Sequence, residues 1–142
     1  MATVGQLLKS KGFKIISVTP DDTVYRALEV MVENNVSALL VMNGDMLTGI
    51  FTERDYARKV ILKGKSSKDT TIGEIMTGNV VTVEPSTGID HCMRLMTGNF
   101  FRHLPVVQND RVIGIISIGD VVKYIIEEQE FIIRNMETYI SQ

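Results

Sequence analysis

The chain has 142 residues, of which 44% are hydrophobic and 23% charged, and its formal net charge is -2. This composition excludes a disordered chain, and the slight acidity argues against a general nucleic-acid-binding protein. Cys92 is the one cysteine, which excludes a disulfide framework and a cysteine-rich zinc site and fits a reducing compartment. No apolar run is long enough to span a membrane, and the N-terminus lacks the pattern of a signal peptide, so we expect a cytoplasmic protein without a membrane partner.

The first half of the chain predicts elements in the order β-α-β-β-α. A β-branched run that ends at Pro20 indicates a strand, and Thr23 can cap the helix whose apolar residues follow at helical spacing. The turn Asn43-Gly44-Asp45 is typical of a β-hairpin. The predicted elements are a strand at Ile15–Val18, a helix at Val24–Asn34, strands at Val36–Met42 and Leu47–Phe51, and a helix that begins at Thr52.

An internal repeat is the dominant feature of the sequence. When the chain is compared with itself at a shift of 65 residues, positions 16–60 give ten identities in 45 pairs without a gap. Neither half has enough strands to be stable alone, so we expect the two halves to pack together. The repeat predicts the same elements again: strands at Val80–Val83, Arg102–Val107 and Arg111–Ile116, a helix at Ile89–Met96, and a helix from Ser117.

A second similarity lies upstream of this repeat. The segment Val4-Gly-Gln-Leu-Leu8 resembles Ile72-Gly-Glu-Ile-Met76 at a shift of 68, so the first copy carries three extra residues near Ser10–Phe13. The polar stretch Lys63–Thr70 is typical of a linker. We therefore predict a first domain at 1–65, a linker at 66–70 and a second domain at 71–142.

The segment that follows each predicted hairpin carries the candidate chemistry. In the first copy a strand leads into a helix at Thr52, and the N–H groups at a helix N-terminus can bind an anion. A carboxylate at Asp55, which we expect at the surface, can accept both hydroxyls of a ribose, and Arg54 offers a planar donor to a phosphate. The alternative is that Thr52 and Asp55 form only a helix-capping pair.

The repeated motif resembles that of the cystathionine-β-synthase (CBS) domain family. It is carried by Gly49-Ile-Phe-Thr-Glu-Arg-Asp55 and Gly114-Ile-Ile-Ser-Ile-Gly-Asp120, together with Arg102-His-Leu-Pro-Val-Val107. The resemblance implies an α/β fold in which two β-α-β-β-α units, related by a pseudo-twofold axis, pack sheet to sheet. It also implies a free-standing regulatory module, not an enzyme, that binds adenosine-containing ligands in clefts between the units.

The resemblance implies two clefts of different charge. Because Arg54, Arg102 and His103 are expected in the first cleft, we expect that cleft to prefer a phosphorylated ligand, whereas the second is nearly neutral. The first site comprises Thr52, Arg54, Asp55, Val80, Val81, Phe101, Arg102, His103 and Pro105. The second comprises Ile15, Ile16, Val36, Ser37, Ala38, Ser117 and Asp120. The short runs at 15–16 and 80–81 are the positions that the family pattern implies for adenine.

Several alternatives remain open from the sequence. His103 is either a structural histidine or a phosphate contact, and no residue pattern indicates a metal site or a catalytic cofactor. The ligand is an adenine nucleotide (AMP, ADP or ATP) in the favoured reading, NAD in a second, and absent in a third, in which the chain is a dimerisation or interaction module. The last helix carries an apolar stripe that either the Leu7-Leu8 segment or a second chain must cover. The resemblance favours a homodimer, and the downstream protein partner is unknown.

Overall fold

The structure is a computed structural model, and it describes residues 2–141. Helices and strands alternate as the repeat predicts, and the fold class, α/β with two repeated units, is confirmed. The helices are α1 (Val4–Lys11), α2 (Val24–Asn34), α3 (Glu53–Lys59), α4 (Ile72–Ile75), α5 (Ile89–Asn99) and α6 (Ile118–Ser141), with a 3₁₀ turn at Ile61–Lys63. The strands are β1 (Ser17–Val18), β2 (Ala38–Asn43), β3 (Met46–Thr52), β4 (His103–Gln108) and β5 (Arg111–Ser117).

Each unit is built around one antiparallel hairpin. The first sheet has the order β1-β2-β3, with β1 parallel to β2, and the second sheet consists of β4 and β5. The predicted strand Val80–Val83 is wrong in extent, because only Val83 forms a β-bridge, a parallel one to Val106. The rest of that segment lacks strand pairing and runs partly exposed to solvent. The predicted helix at Val24–Asn34 is confirmed, and the Thr23 hydroxyl accepts the Arg26 N–H at its start.

Both hairpins contain the same bulge, which shows that the repeat extends to backbone detail. In the first hairpin Val41 pairs with Gly49, but Met42 pairs with Leu47, so Thr48 is the extra residue. The Thr48 hydroxyl donates to the Val41 carbonyl at 2.9 Å. The second hairpin shifts its register at the equivalent place, between Val106 and Val107. A bulge bends and twists the strand that carries it.

The units exchange their leading helices. Val4, Leu7 and Leu8 of α1 are buried in the core of the second unit, whereas Ile72 and Ile75 of α4 are buried in the core of the first. The two cores therefore each contain a helix that the other half of the sequence supplies. The exchange is equivalent in the two units, as the pseudo-twofold axis that the resemblance implies requires.

Backbone hydrogen bonds hold the exchanged helices in equivalent ways. The Gly5 N–H donates to the Pro85 carbonyl at 2.9 Å, and the Gly73 N–H donates to the Pro20 carbonyl at the same distance. Thr3 bridges to Gly88 in an antiparallel manner, and the equivalent bridge joins Thr23 and Thr71. At the start of each exchanged helix, a backbone N–H group therefore donates to a turn of the opposite unit. This leaves few donors unpaired at these helix starts.

The glycine at each bulge allows a close approach by the exchanged helix. A Cβ at Gly49 would lie 2.7 Å from both the Met76 Sδ and the Thr77 carbonyl oxygen. A Cβ at Gly114 would lie 2.9 Å from a methyl carbon of Leu8. These glycines are therefore required by space and not by backbone conformation.

The last helix extends beyond the core that it helps to form. Val121 is fully buried, and Tyr124 and Ile125 pack against the second core with α1. All described side chains from Ile126 to Ile140 are exposed. The Leu7-Leu8 segment therefore covers only the first two turns of α6. Among residues 2–141, no helix combines the length and apolar character that crossing a membrane requires.

The close approach at Gly49 generates the first prediction. Gly49→Ala should lower the free energy of unfolding by about 1–3 kcal/mol, because the new methyl group meets a backbone oxygen that cannot move freely. Gly78→Ala is the matched control, since a Cβ there would have nothing within 4 Å. Urea denaturation of both variants measures the difference. Equal stability of the two variants would contradict the packing described here.

Candidate functional site

A cavity of about 650 Å³ lies between the two units. Its walls come from the start of β2, the end of β3, the first turn of α3 and the connection between α5 and β4. A volume of this size accommodates a small-molecule ligand. The lining residues are Ser37, Ile50, Thr52, Glu53, Arg54, Asp55, Thr77, Phe100, Phe101, Arg102 and His103.

The carboxylate of Asp55 forms the most highly connected polar group of this cavity. One of its oxygens, Oδ2, accepts the Thr52 N–H at 3.0 Å and the Thr52 hydroxyl at 3.2 Å. The other oxygen, Oδ1, accepts the Thr77 hydroxyl at 3.2 Å and lies 3.2 Å from the Lys59 Nζ. Asp55 thereby joins the start of α3 to the segment after α4, which belongs to the other half of the sequence.

The expectation that Asp55 lies at the surface is wrong. The residue is 8% exposed, because α4 and the segment after it cover the start of α3. The capping pair is also present, since the Thr52 hydroxyl accepts the Asp55 N–H at 3.1 Å. A ribose that binds this carboxylate must therefore replace one of the existing donors, and Thr77 and Lys59 are the donors that capping does not require.

Two arginines contribute positive charge to the cavity, which also contains the carboxylates of Glu53 and Asp55. Arg54 lies in the first turn of α3, and Arg102 directly precedes β4. Both side chains are exposed. Within the described part of the chain, neither guanidinium has a carboxylate at ion-pair distance. The two groups are therefore available to an anionic ligand.

His103 lies where the two units meet. Its Nε2 is 3.4 Å from the Ser37 hydroxyl, which joins the start of β4 to the start of β2. Burial lowers the pKa of His103 below the usual 6.5, and the positive charges of Lys11 and Arg102 lower this pKa further, against the opposing effect of Asp120. The imidazole is neutral at neutral pH and can either donate or accept a hydrogen bond.

The structure brings six of the nine predicted first-site residues together. Thr52, Arg54, Asp55, Phe101, Arg102 and His103 line the cavity. Val80 lines another cavity, of about 480 Å³, and Val81 is exposed. Pro105 is buried within β4, opposite Ile115. Val80 and Val81 lie elsewhere because the predicted strand is reduced to a single bridge at Val83, and Pro105 lies elsewhere because it is covered within β4.

Two lining residues of chemical importance were missed by sequence reasoning. Thr77 follows α4, so its place beside Asp55 depends on the helix exchange, which no local pattern indicates. Phe100 was also missed, although the repeat offered a signal. It aligns with Asn35 at the end of the equivalent helix, so a phenylalanine stands where the first copy has an asparagine. Both positions have a left-handed backbone, with φ of 60° at Phe100 and 53° at Asn35.

The second motif carboxylate has an internal partner. The Lys11 Nζ lies 2.6 Å from the Asp120 Oδ2 and donates to the Ile115 carbonyl at 2.6 Å. Burial raises the pKa of Asp120, but the hydrogen bonds from Lys11 and Ser117 together with the Lys11 charge outweigh it, so the pKa lies below the usual 3.8. Asp120 therefore stays ionised and paired at neutral pH.

The three extra residues of the first copy explain this pair. They lengthen α1 to eight residues, whereas its counterpart α4 has four. The longer helix carries Lys11 at its end and directs the ammonium group to the second motif. Asp55 receives a lysine in a different way, from Lys59 one turn along its own helix.

The predicted second-site residues are not gathered around a single cavity among those that the structure describes. Asp120 lines a cavity of about 220 Å³ together with Lys11 and other residues of α1 and α6. Ser37 lines the larger, first cavity. Ile16 and Val36 pack against the first core, and Ala38 is buried in β2. Ile15 is exposed, and Ser117 caps the start of α6.

Comparison with known proteins gives one family. The model of the CBS domain matches residues 4–62 and 72–127. The mitochondrial CBS domain-containing protein CBSX3 of Arabidopsis thaliana is 43% identical over 148 aligned positions, which cover 98% of this chain and 72% of that protein.

Solved structures agree with this match. A putative signal-transduction protein with CBS domains from Burkholderia ambifaria is 52% identical, with a TM-score of 0.87 over 90% of this chain and 96% of that chain. The CBS domain pair of protein MJ0100, in complex with 5′-methylthioadenosine and S-adenosyl-L-methionine, is 25% identical, with a TM-score of 0.79 over 90% of this chain and 98% of that chain.

The Lys11–Asp120 pair generates the second prediction. A double-mutant cycle with Lys11→Met and Asp120→Asn should give a coupling free energy of about 1 kcal/mol at pH 7. Because folding depresses the pKa of Asp120, this stabilisation is present above pH 3.8 and is lost as the pH falls through the lower folded-state pKa. Urea denaturation at pH 7 and below pH 3.8 measures the coupling. The more exposed Asp90–Arg94 pair is the control and should couple more weakly; equal coupling in the two pairs would contradict this assignment.

Proposed function

The chain belongs to the CBS domain family, and we propose that it binds an adenine nucleotide in the cavity between its two units. Tandem CBS domains form a regulatory module, and this chain is such a pair. The observation that carries the proposal is that one cavity contains both a buried carboxylate, Asp55, and two guanidinium groups, those of Arg54 and Arg102, that form no ion pair among the described residues. This combination suits a ribose attached to a phosphate.

The geometry suggests a role for each group. Arg54 and Arg102 would bind the phosphate from opposite units, since charge-assisted bonds to phosphate are the strong ones. Asp55 would accept the ribose hydroxyls in place of its bonds to Thr77 and Lys59. His103 would donate to the ligand in the tautomer that its Ser37 contact permits. AMP, ADP and ATP share these features, and they are the ligand class that we propose.

We expect one ligand per chain. The second motif keeps its carboxylate paired with Lys11, and the cavity beside it measures about 220 Å³, a third of the first. A ribose there must displace an ammonium group that makes two bonds of 2.6 Å. The larger cavity is therefore the proposed site.

A ligand in the first cavity would act as a clamp between the units. It would touch α3 of one unit and the connection before β4 of the other, and it can shift their arrangement only as far as it prefers one arrangement. The proposed output is a change in the helices that a partner protein contacts. We propose no catalytic role, because the groups of the cavity serve binding.

The exposed part of α6 supports a proposed homodimer. Ile126, Ile133, Met136 and Ile140 follow one another at helical spacing, and each is about half exposed or more. An apolar stripe of this length is unfavourable in water. A second copy that presents the same stripe would cover it symmetrically. This surface also supports the second candidate function, an interaction module whose cavity binds no ligand.

We propose a reducing compartment, such as the cytoplasm, as the site of action. Cys92 is a free thiol that is fully buried in the second core, and burial raises its pKa, with a smaller contribution from Asp90. The thiol is therefore unreactive and makes no disulfide. The name of the Arabidopsis relative places that protein in mitochondria.

The third prediction tests the nucleotide site. The protein should bind AMP at least about tenfold more tightly than adenosine, because a bond from a guanidinium to phosphate contributes about 1.5–3 kcal/mol. Arg54→Gln and Arg102→Gln should each weaken AMP binding about tenfold and leave adenosine binding nearly unchanged. Isothermal titration calorimetry at low and high salt measures both affinities and the number of sites, and the AMP preference should fall with salt.

Arg58→Gln is the matched control for this titration. Arg58 lies on the same helix, α3, but does not line the cavity. It should change neither affinity. Binding of neither AMP nor adenosine, with an intact fold, would favour the interaction module, and equal affinity for NAD in the same titration would favour the dinucleotide alternative. Two AMP molecules per chain would contradict the role of Lys11.

The fourth prediction tests the dimer. Light scattering should give twice the chain mass of 15.9 kDa for the native protein. The double variant Ile133→Lys and Met136→Lys should be a monomer, because the charges enter the apolar stripe of both copies. Glu127→Lys with Thr138→Lys places two lysines on the face of α6 away from the stripe and should remain a dimer. A double variant of the stripe that stays dimeric would place the interface elsewhere.

A further inference from the structure

Phe100 occupies a backbone conformation that its side chain disfavours. It follows the last residue of α5 with φ of 60° and ψ of 25°, in the left-handed region. The Cβ of an L-residue is crowded there, and a bulky side chain in that region is a genuine outlier. The equivalent residue after α2 is Asn35, with φ of 53°, and asparagine tolerates this region well. The chain thus has a residue suited to this position in one unit and an unsuited one in the other.

Burial does not compensate for this strain. The Phe100 side chain is 75% exposed, so it contributes little to the core. Its neighbour Phe101 is partly buried and packs against the second core, which means that the structural aromatic of this segment is a different residue. In the protein alone, Phe100 therefore carries a conformational cost without an evident packing gain. Strained residues of this kind are found at ligand clamps.

The position of Phe100 indicates what could offset the cost of its left-handed backbone. The residue lines the cavity that also contains Asp55 and Arg102. Ile50 and Phe101 also line that cavity, whereas the runs at 15–16 and 80–81, which were expected to bind adenine, do not. An exposed phenyl ring at the cavity wall offers a flat apolar surface, and a nucleobase stacks favourably on such a ring.

We propose that Phe100 binds the planar base of the ligand by stacking, and that it sets the preference of this site for a nucleotide over a bare sugar phosphate. This inference rests on the proposed nucleotide site and adds the base-binding residue to it. The stacked base would shield the ring from water and so offset the strain of the left-handed backbone. Phe100 is then a binding residue, whereas Phe101 supports the fold.

The test compares two ligands and two properties in Phe100→Asn, which restores the residue that the first unit uses. AMP affinity should fall about tenfold or more, and the affinity for ribose 5-phosphate, measured by competition against AMP, should not change. The melting temperature should rise by about 2–5 °C, because the strain is relieved. Binding and stability are thus expected to change in opposite directions.

Two further variants complete the experiment. Phe100→Tyr keeps a ring and should retain the AMP affinity. Phe13→Asn replaces a phenylalanine that is 54% exposed and does not line the cavity, and it should change neither ligand affinity nor the balance between the two ligands.

Three outcomes would overturn the stacking role. They are an unchanged AMP affinity in Phe100→Asn, an equal loss of AMP and ribose 5-phosphate, and a lower melting temperature together with weaker binding, which would make Phe100 a packing residue. If the native protein binds neither ligand, the proposed nucleotide site itself fails, and the role of Phe100 fails with it.

Discussion

Each half of this chain lacks part of its own core and takes it from the other half. Leu8 of α1 packs over Gly114, and Met76 after α4 packs over Gly49, so both hairpins depend on a helix from the opposite repeat. The exchange places Thr77 beside Asp55, and it places Lys11 beside Asp120. The polar groups of both motifs are therefore positioned by the same contact that completes the two cores.

The two motifs differ in their charge and in the cavity beside them, although the fold around them is the same. Asp55 opens onto a cavity of about 650 Å³ with two free guanidinium groups, whereas Asp120 is paired with Lys11 beside a much smaller cavity. The difference follows from three residues inserted near the end of α1 and from a glycine where the first motif has Arg54. Neither change touches the hairpins, so the pseudo-symmetry of the cores is retained.

The sequence predicted those features that depend on local pattern. The α2 helix, both hairpins and the position of Thr52 as a cap follow from periodicity and turn residues, and the gapless repeat predicted the second unit from the first. The burial of Asp55 and the Lys11 pair could not be predicted, because each depends on contacts between distant segments. The strand predicted at Val80–Val83 is reduced to one bridge, because Val83 alone of its residues makes hydrogen bonds to β4, whereas 80–82 run partly exposed without strand pairing.

The exchange of helices also sets an order for folding as the chain is synthesised. The first core is complete once Ile72 and Ile75 have been synthesised, whereas α1, which is synthesised earlier, packs against residues between 83 and 121. The apolar side chains of α1 therefore stay exposed until most of the chain has been synthesised. Contacts of such long sequence separation are slow to form, and exposed apolar segments favour aggregation while they wait. The helix α1 is thus synthesised before the core that covers it, and it is among the last of the described elements to reach its native contacts.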